Sequence, residues 1–171
     1  MKERSGLITF KGNPLTLVGS DVKVGDRAPE FTATGNDMSP VGLSSFRGKT
    51  VIISAVPSLD TPVCDVETRR FNEEAGKLGA DIVVLTISMD LPFAQARWCA
   101  AHGITHVKTV SDYRDAAFGT AYGVLIKELK LLARCVFIVD SDGIVRYIQL
   151  VKEVATEPDY EDVLKAMKSL L

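Results

Sequence analysis

Pro57, Thr61 and Cys64 stand at the spacing P-x-x-x-T-x-x-C, directly after the apolar run 51–56. A strand-like run stops at a proline, crosses a short turn and restarts as a helix. Thr61 is a good N-cap residue, and Pro62 suits the first helical position, where its missing N–H is no loss. Cys64 therefore falls in the first turn, where backbone N–H groups lack intrahelical partners and the macrodipole is positive. Such a position stabilises a thiolate relative to the thiol, below the free-cysteine value of roughly 8.5. A free cysteine can equally be a small buried hydrophobe. The helix start and the hydroxyl three residues earlier favour a nucleophile.

Arg134 interrupts the apolar stretch Leu131-Leu132-Ala133…Cys135-Val136-Phe137. A guanidinium in a buried strand must be paired to escape a heavy desolvation cost, and an active-site thiolate is one such partner. Alternatively Arg134 begins the strand and faces water. Cys99 reads as a core cysteine beside Trp98, or as part of Cys99-x-x-His102-x-x-x-His106, a metal-like spacing with three evident ligands against the usual four of a closed zinc site. Cys135 lies in the apolar strand and is expected to pack there. Glu67, Arg69 and Arg70, on the nucleophile's helix, either form a solvated face or tune the site, with solvation favoured for the two arginines. The third residue after Cys64 is Glu67, which speaks against a C-x-x-C disulfide exchanger.

The elements that must hold these residues follow from periodicity. Segments 7–10 and 15–18, split by Lys11-Gly12-Asn13-Pro14, predict a β-hairpin in residues 1–19. Residues 20–49 read as an irregular arm touching the body near 31–33 and 43–46. A doubly buried strand is expected over 50–56. A helix then carries Val63, Val66, Phe71, Ala75 and Leu78 at helical period and stops near Gly79. A second strand at 81–87 completes a right-handed βαβ unit. A short helix follows over Pro92–His102 with Phe93, Trp98 and Cys99, ending near Gly103, then a strand at 107–110 and a helix at 115–122 with Asp112 as its cap. The runs 130–139 and 144–150 flank Asp140-Ser141-Asp142-Gly143, a strong hairpin signal. Asp159 caps a last helix with Val163, Leu164, Met167, Leu170 and Leu171 on its apolar face. A βαβ unit followed by ββα on one sheet predicts an α/β thioredoxin-like fold: a central mixed sheet flanked by helices, extended by the N-terminal hairpin. Residues 1–171 are expected to form a single domain.

Length and composition agree with that reading. The 171 residues suffice for one domain with a substantial core. A net charge of -2 with interspersed signs gives no reason to expect nucleic acid or an anionic membrane. No apolar run is long enough to span a bilayer, and residues 1–20 lack a signal-like core, so a cytoplasmic protein is expected. Three cysteines, an odd count, argue against a secreted disulfide framework and for redox, catalytic or metal chemistry.

With these residues in place, the chain resembles the peroxiredoxins, whose pattern is P-x-x-x-T-x-x-C. Within them, PSLDTPVCDVETRRFNEEA and MDLPFAQARWC, with GDRAPEF, LSSFRGK and LLARCVFIVDSDGIV, are similar to the thiol peroxidases, the atypical two-cysteine branch. The likeness covers nearly the whole chain. It implies a peroxidatic Cys64 that attacks hydrogen peroxide or an alkyl hydroperoxide, with Thr61 and Arg134 activating and orienting, and Pro57 and Pro62 shielding the sulfenate. It implies Cys99 as the resolving cysteine, closing an intramolecular Cys64–Cys99 disulfide that thioredoxin reduces, and a homodimer. It assigns no essential role to Cys135. Neither a metal nor an organic cofactor is needed, since sulfur carries the electrons. A rival is a redox sensor or holdase using the same disulfide only as a switch; turnover separates the two. The reduced cysteines start on different helices, so disulfide closure is expected to unwind 61–65, the Cys99 helix, or both.

Overall fold

The computed structural model describes residues 1–170; Leu171 lies outside the described residues. Among the described residues, ten strands form two sheets. Strands β1 (Glu3–Phe10) and β2 (Asn13–Val18) make the N-terminal hairpin. Its turn, Lys11-Gly12, has positive φ at both residues, the conformation that matches strand twist in a two-residue hairpin. The rest is built on β3 (Thr32–Gly35), β4 (Pro40–Gly42), β5 (Thr50–Ala55), α1 (Pro62–Ala75), β6 (Ile82–Ser88), α2 (Pro92–His102), β7 (Val107–Ser111), α3 (Ala117–Ala121), β8 (Leu125–Ile126), β9 (Cys135–Val139), β10 (Val145–Leu150) and α4 (Tyr160–Lys168).

The main sheet runs β10-β9-β5-β6-β7-β3-β4, and β8 joins the hairpin instead. β5 pairs parallel with β6 and antiparallel with β9, while β6 and β7 are parallel. A central strand of this kind must be apolar on both faces, as 51–53 and 55–56 are. This is the mixed sheet of a thioredoxin-like fold. α1 and α4 cover one face through Phe71, Val163 and Met167 on Ile52, Val84 and Ile138. α3 and the hairpin cover the other, where Phe118, Tyr122, Ile8 and Leu17 pack on Ile53, Leu85 and Phe137.

Four expectations need correcting. The segment 20–49 is not merely an irregular arm: β3 and β4 extend the sheet beyond β7. Strands of four and three residues, the second begun by an edge proline, are too short to show alternation. The helix begun at Pro62 ends at Ala75, a turn earlier than Gly79 suggests. Its inward face is also turned from the apolar pattern. Val66 is 49% exposed, while Glu67 and Thr68 are fully buried beside Cys64 and Phe71. By contrast, α2 keeps its expected bounds, closed by Gly103 in the left-handed region. The N-cap of α3 is Ala116, not Asp112 as expected, but the Asp112 carboxylate still accepts from the N–H groups of Phe118 and Gly119 in its first turn.

The hairpin is tied down by Glu153. Its carboxylate accepts from the Thr9 hydroxyl and the N–H groups of Lys11 and Gly12. These bonds, that of Thr9 foremost, hold Glu153 below the usual glutamate range. A lowered carboxylate lends stability above its unfolded value and loses it as pH falls through the folded one. Amide exchange at residues 9–12 should therefore accelerate below the ordinary glutamate range, and Glu153→Gln should show that faster exchange already at neutral pH.

Candidate active site

Two local devices place Cys64. Thr61 sits at the N-cap with an extended backbone, and Pro62 opens the helix, as their residue types require. Cys64, third in the helix, is 0% exposed. The Thr61 hydroxyl makes no side-chain cap; it donates to the Ser58 carbonyl at 3.0 Å. It thus stiffens the loop between Pro57, which is buried, and the helix. Asp90, just before α2, grips that loop from below. It accepts from the Ser58 hydroxyl (2.7 Å) and the Leu59 N–H (2.8 Å), and also from the Ser88 hydroxyl (2.7 Å).

Arg134 immediately precedes β9 and is 2% exposed. Its buried guanidinium uses every nitrogen. Nε donates to the Val154 carbonyl at 3.0 Å, Nη1 to Glu67 Oε2, and Nη2 to Cys64 Sγ at 3.2 Å. Glu67 Oε1 accepts from the Ser54 hydroxyl at 3.0 Å. Burial works against the charged form of Arg134, but Glu67 and Cys64 outweigh it and the pKa lies above the ordinary value. For Glu67 the balance falls the other way: burial raises its pKa despite the arginine. One cation therefore faces two groups able to carry negative charge. Arg134 is in place to neutralise charge on either of them.

The other cysteines lie elsewhere, and all three are free thiols. Cys99 is half-buried, and its sulfur lies 3.4 Å from Thr109 Oγ1; burial pushes this thiol up. Cys135, 1% exposed, is packed in β9 opposite Ala55 and Leu150, and burial pushes it up much further. His102 faces the Trp98 carbonyl through Nδ1 (2.8 Å) and Asp65 through Nε2 (3.4 Å). Among the described residues, no three His, Cys, Asp or Glu side chains converge as metal ligands.

The structure thus brings Cys64, Arg134 and the 57–61 loop together, and leaves Cys99 on a separate mooring. Sequence reasoning left Glu67 undecided between solvent and site and overlooked Ser54, Asp90 and Thr109. Glu67 had one legible signal, its place one turn after Cys64 on the same helix face. Asp90 lies two residues before the proline that starts α2, which alone does not reveal its grip on Ser58.

Removing one partner of a buried ion pair leaves an uncompensated charge, at a cost of about 3–5 kcal/mol. Glu67→Ala should lower the unfolding free energy by about that amount in denaturant titrations. Glu67→Gln should lower it less, because an amide oxygen still accepts from Arg134. The raised carboxyl also sets a pH slope: the folded state holds the proton more tightly, so stability falls as pH rises from the ordinary glutamate value towards the folded one. Glu67→Gln should remove that slope.

The Redoxin family matches residues 23–164. The thiol peroxidase of Bacillus subtilis (strain 168) is 58% identical over 164 residues, covering 96% of this chain and 98% of that protein. The thiol peroxidase of Halalkalibacterium halodurans is 56% identical over the same length and shares. A crystal structure of a peroxiredoxin-like protein from Aquifex aeolicus superposes with a TM-score of 0.91 at 43% identity, covering 98% of this chain and 99% of that one. The thiol peroxidase from Chromobacterium violaceum shares the fold, with a TM-score of 0.84 at 20% identity over 95% of each chain. A cysteine opening a helix against a buried arginine, on a thioredoxin-like sheet and with relatives this similar over nearly its whole length, places the chain in the redoxin family, among the thiol peroxidases.

Proposed function

We propose that this thiol peroxidase reduces hydrogen peroxide and alkyl hydroperoxides through Cys64, with the 3.2 Å bond from Arg134 to the sulfur as the observation that carries the assignment. The Cys64 thiolate attacks the terminal peroxide oxygen in line with the O–O bond. The S–O bond forms, the O–O bond breaks, and the leaving oxygen takes a proton as water or alcohol. Arg134 holds the thiolate and offers charge to the developing oxyanion. Thr61 and Pro57 shape the loop above the sulfur. Cys99 then attacks the sulfenic sulfur and closes the disulfide, which thioredoxin reduces in the cytoplasm. The reading is of a single domain over 1–171 acting as a homodimer.

Because both cysteines are free and have separate partners in this state, disulfide closure needs local opening. A disulfide brings Cα atoms within about 7 Å. The first turn of α1 and the whole of α2 are the segments expected to open.

Peroxide consumption with a thioredoxin system tests the assignment. Cys64→Ser should abolish it, Cys99→Ser should allow one oxidation without recycling, and Cys135→Ser should be close to silent. Loss of turnover in the Cys135 variant with retention in the Cys99 variant would exchange their roles.

Arg134→Ala should slow sulfenate formation, with Arg134→Lys only partly restoring the rate. Thr61→Val should slow the same step. Hydrogen exchange should be faster at 61–70 and 92–102 in the disulfide form than in the reduced form, and equal protection would remove the opening step.

A further inference from the structure

Strand register places the two moorings on one cross-strand row. Val136, Ser54, Thr86 and Thr109 are directly paired across β9, β5, β6 and β7. Their neighbours two residues away, Ile138, Ile52, Val84 and Val107, form an apolar row on the same face. So the face under α1 and α4 is apolar, and it turns hydroxyl-bearing one row further, towards the site. At Ser54 the row supports Glu67, and through it Arg134 and Cys64. At Thr109 it meets Cys99. The strands bearing the two residues are two spacings apart, about 10 Å.

α2 docks on this polar part of the sheet. Among the described residues, neither large apolar cluster includes a side chain of α2. Trp98 packs in the small cluster with Val56, Leu59 and Cys64. Cys99 packs against the same small cluster. The helix is also held by polar bonds: Gln95 Nε2 donates to Ser88 Oγ (2.9 Å) and the Val110 carbonyl (2.8 Å), and Cys99 meets Thr109. The Thr109 hydroxyl donates its one hydrogen to Asn36 Oδ1 at 3.1 Å. Towards Cys99 it therefore offers only lone pairs, so the cysteine is the donor and is held as a thiol.

We propose that Thr109, oriented by Asn36, is a positioning residue for the resolving step: it moors the Cys99 thiol on β7 and sets how readily α2 releases it to Cys64. The inference rests on Cys99 being the resolving cysteine. In that step the Cys99 sulfur attacks the Cys64 sulfenic acid. The S–S bond forms, the S–O bond breaks, and the Cys99 proton leaves with the hydroxide as water, so no further oxidant is required. The Thr109 bond stabilises the docked thiol and is lost on release, which slows resolution. While resolution is delayed, the sulfenate is open to a second peroxide and to sulfinic acid. Thr109 thereby sets the balance between closing the disulfide and over-oxidation.

Trp98, the single tryptophan, adjoins Cys99 and packs with Cys64, so its fluorescence can follow both steps in rapid mixing with hydrogen peroxide. Thr109→Val should leave the peroxide-dependent first phase unchanged and accelerate the peroxide-independent second phase about two- to tenfold, the scale of one neutral hydrogen bond. Thr109→Ser, which keeps the hydroxyl, should restore the wild-type rate. The fraction of Cys64 converted to sulfinic acid at high peroxide, measured by mass spectrometry, should fall in the valine variant and recover in the serine one. An unchanged or slower second phase in Thr109→Val, a parallel change of both phases, or no rescue by serine would overturn the proposal. Cys99→Ser separates the premises: if a second phase survives in it, the resolving assignment fails; if that phase vanishes while Thr109→Val behaves as wild type, only the role of Thr109 fails.

Discussion

A charged guanidinium enclosed by protein is the constraint around which this molecule is arranged. Arg134 cannot shed its charge, so its environment must supply acceptors for each nitrogen. Three parts of the chain do so: the carboxyl of Glu67, the sulfur of Cys64 and the carbonyl of Val154. The first two lie one turn apart on α1, so the arginine fixes that helix's rotation. That is why Glu67 points inward while Val66, the more apolar residue, is left at the surface. The third lies beyond β10, next to Glu153, which anchors the N-terminal hairpin turn. The Cys64 sulfur is thus braced by segments from both ends of the chain.

The sheet divides its labour along the strands. Under the middle of α1 and α4 the rows are apolar and supply the packing that holds the domain together. Towards the C-terminal ends of the parallel strands, the same face carries Ser54, Thr86, Ser88, Thr109 and Ser111, all buried. Among the described residues, the Thr86 hydroxyl has no hydrogen-bond partner. The helix resting on this surface is attached by Trp98 in its small apolar cluster and by a few polar bonds. Stability and mobility can then coexist: α2 can move without disturbing the two main clusters.

Much of this was legible from the residues. The buried strands β5, β6 and β9 announce themselves as apolar runs, and α2 is bracketed by Pro92 and Gly103. The place of Cys64 at a helix start follows from Thr61 and Pro62. Short edge elements were not legible, because β3, β4 and β8 are too brief for any period to emerge. Nor was the orientation of α1. Its apolar pattern suggests Val66 inward, and only a partner 67 residues further along explains the burial of Glu67. The Cys99–Thr109 contact is hidden for a related reason: it depends on α2 crossing β7, a packing relation that no local spacing encodes.

The bracing of Arg134 bears on how such a site could be moved to another scaffold. A linear graft of the segment from Pro57 to Glu67 would carry the loop, the helix start and the sulfur. It would leave behind the cation, which arrives from the start of β9, and the Val154 carbonyl that orients it. In a host without that cradle, Cys64 would be an ordinary cysteine in a helix's first turn and Glu67 a buried acid without a counterion. The reactivity proposed for Cys64 is therefore a property of a tertiary junction, and the unit that evolution or an engineer could transplant is the junction of β5, β9 and α1 with its closing segments.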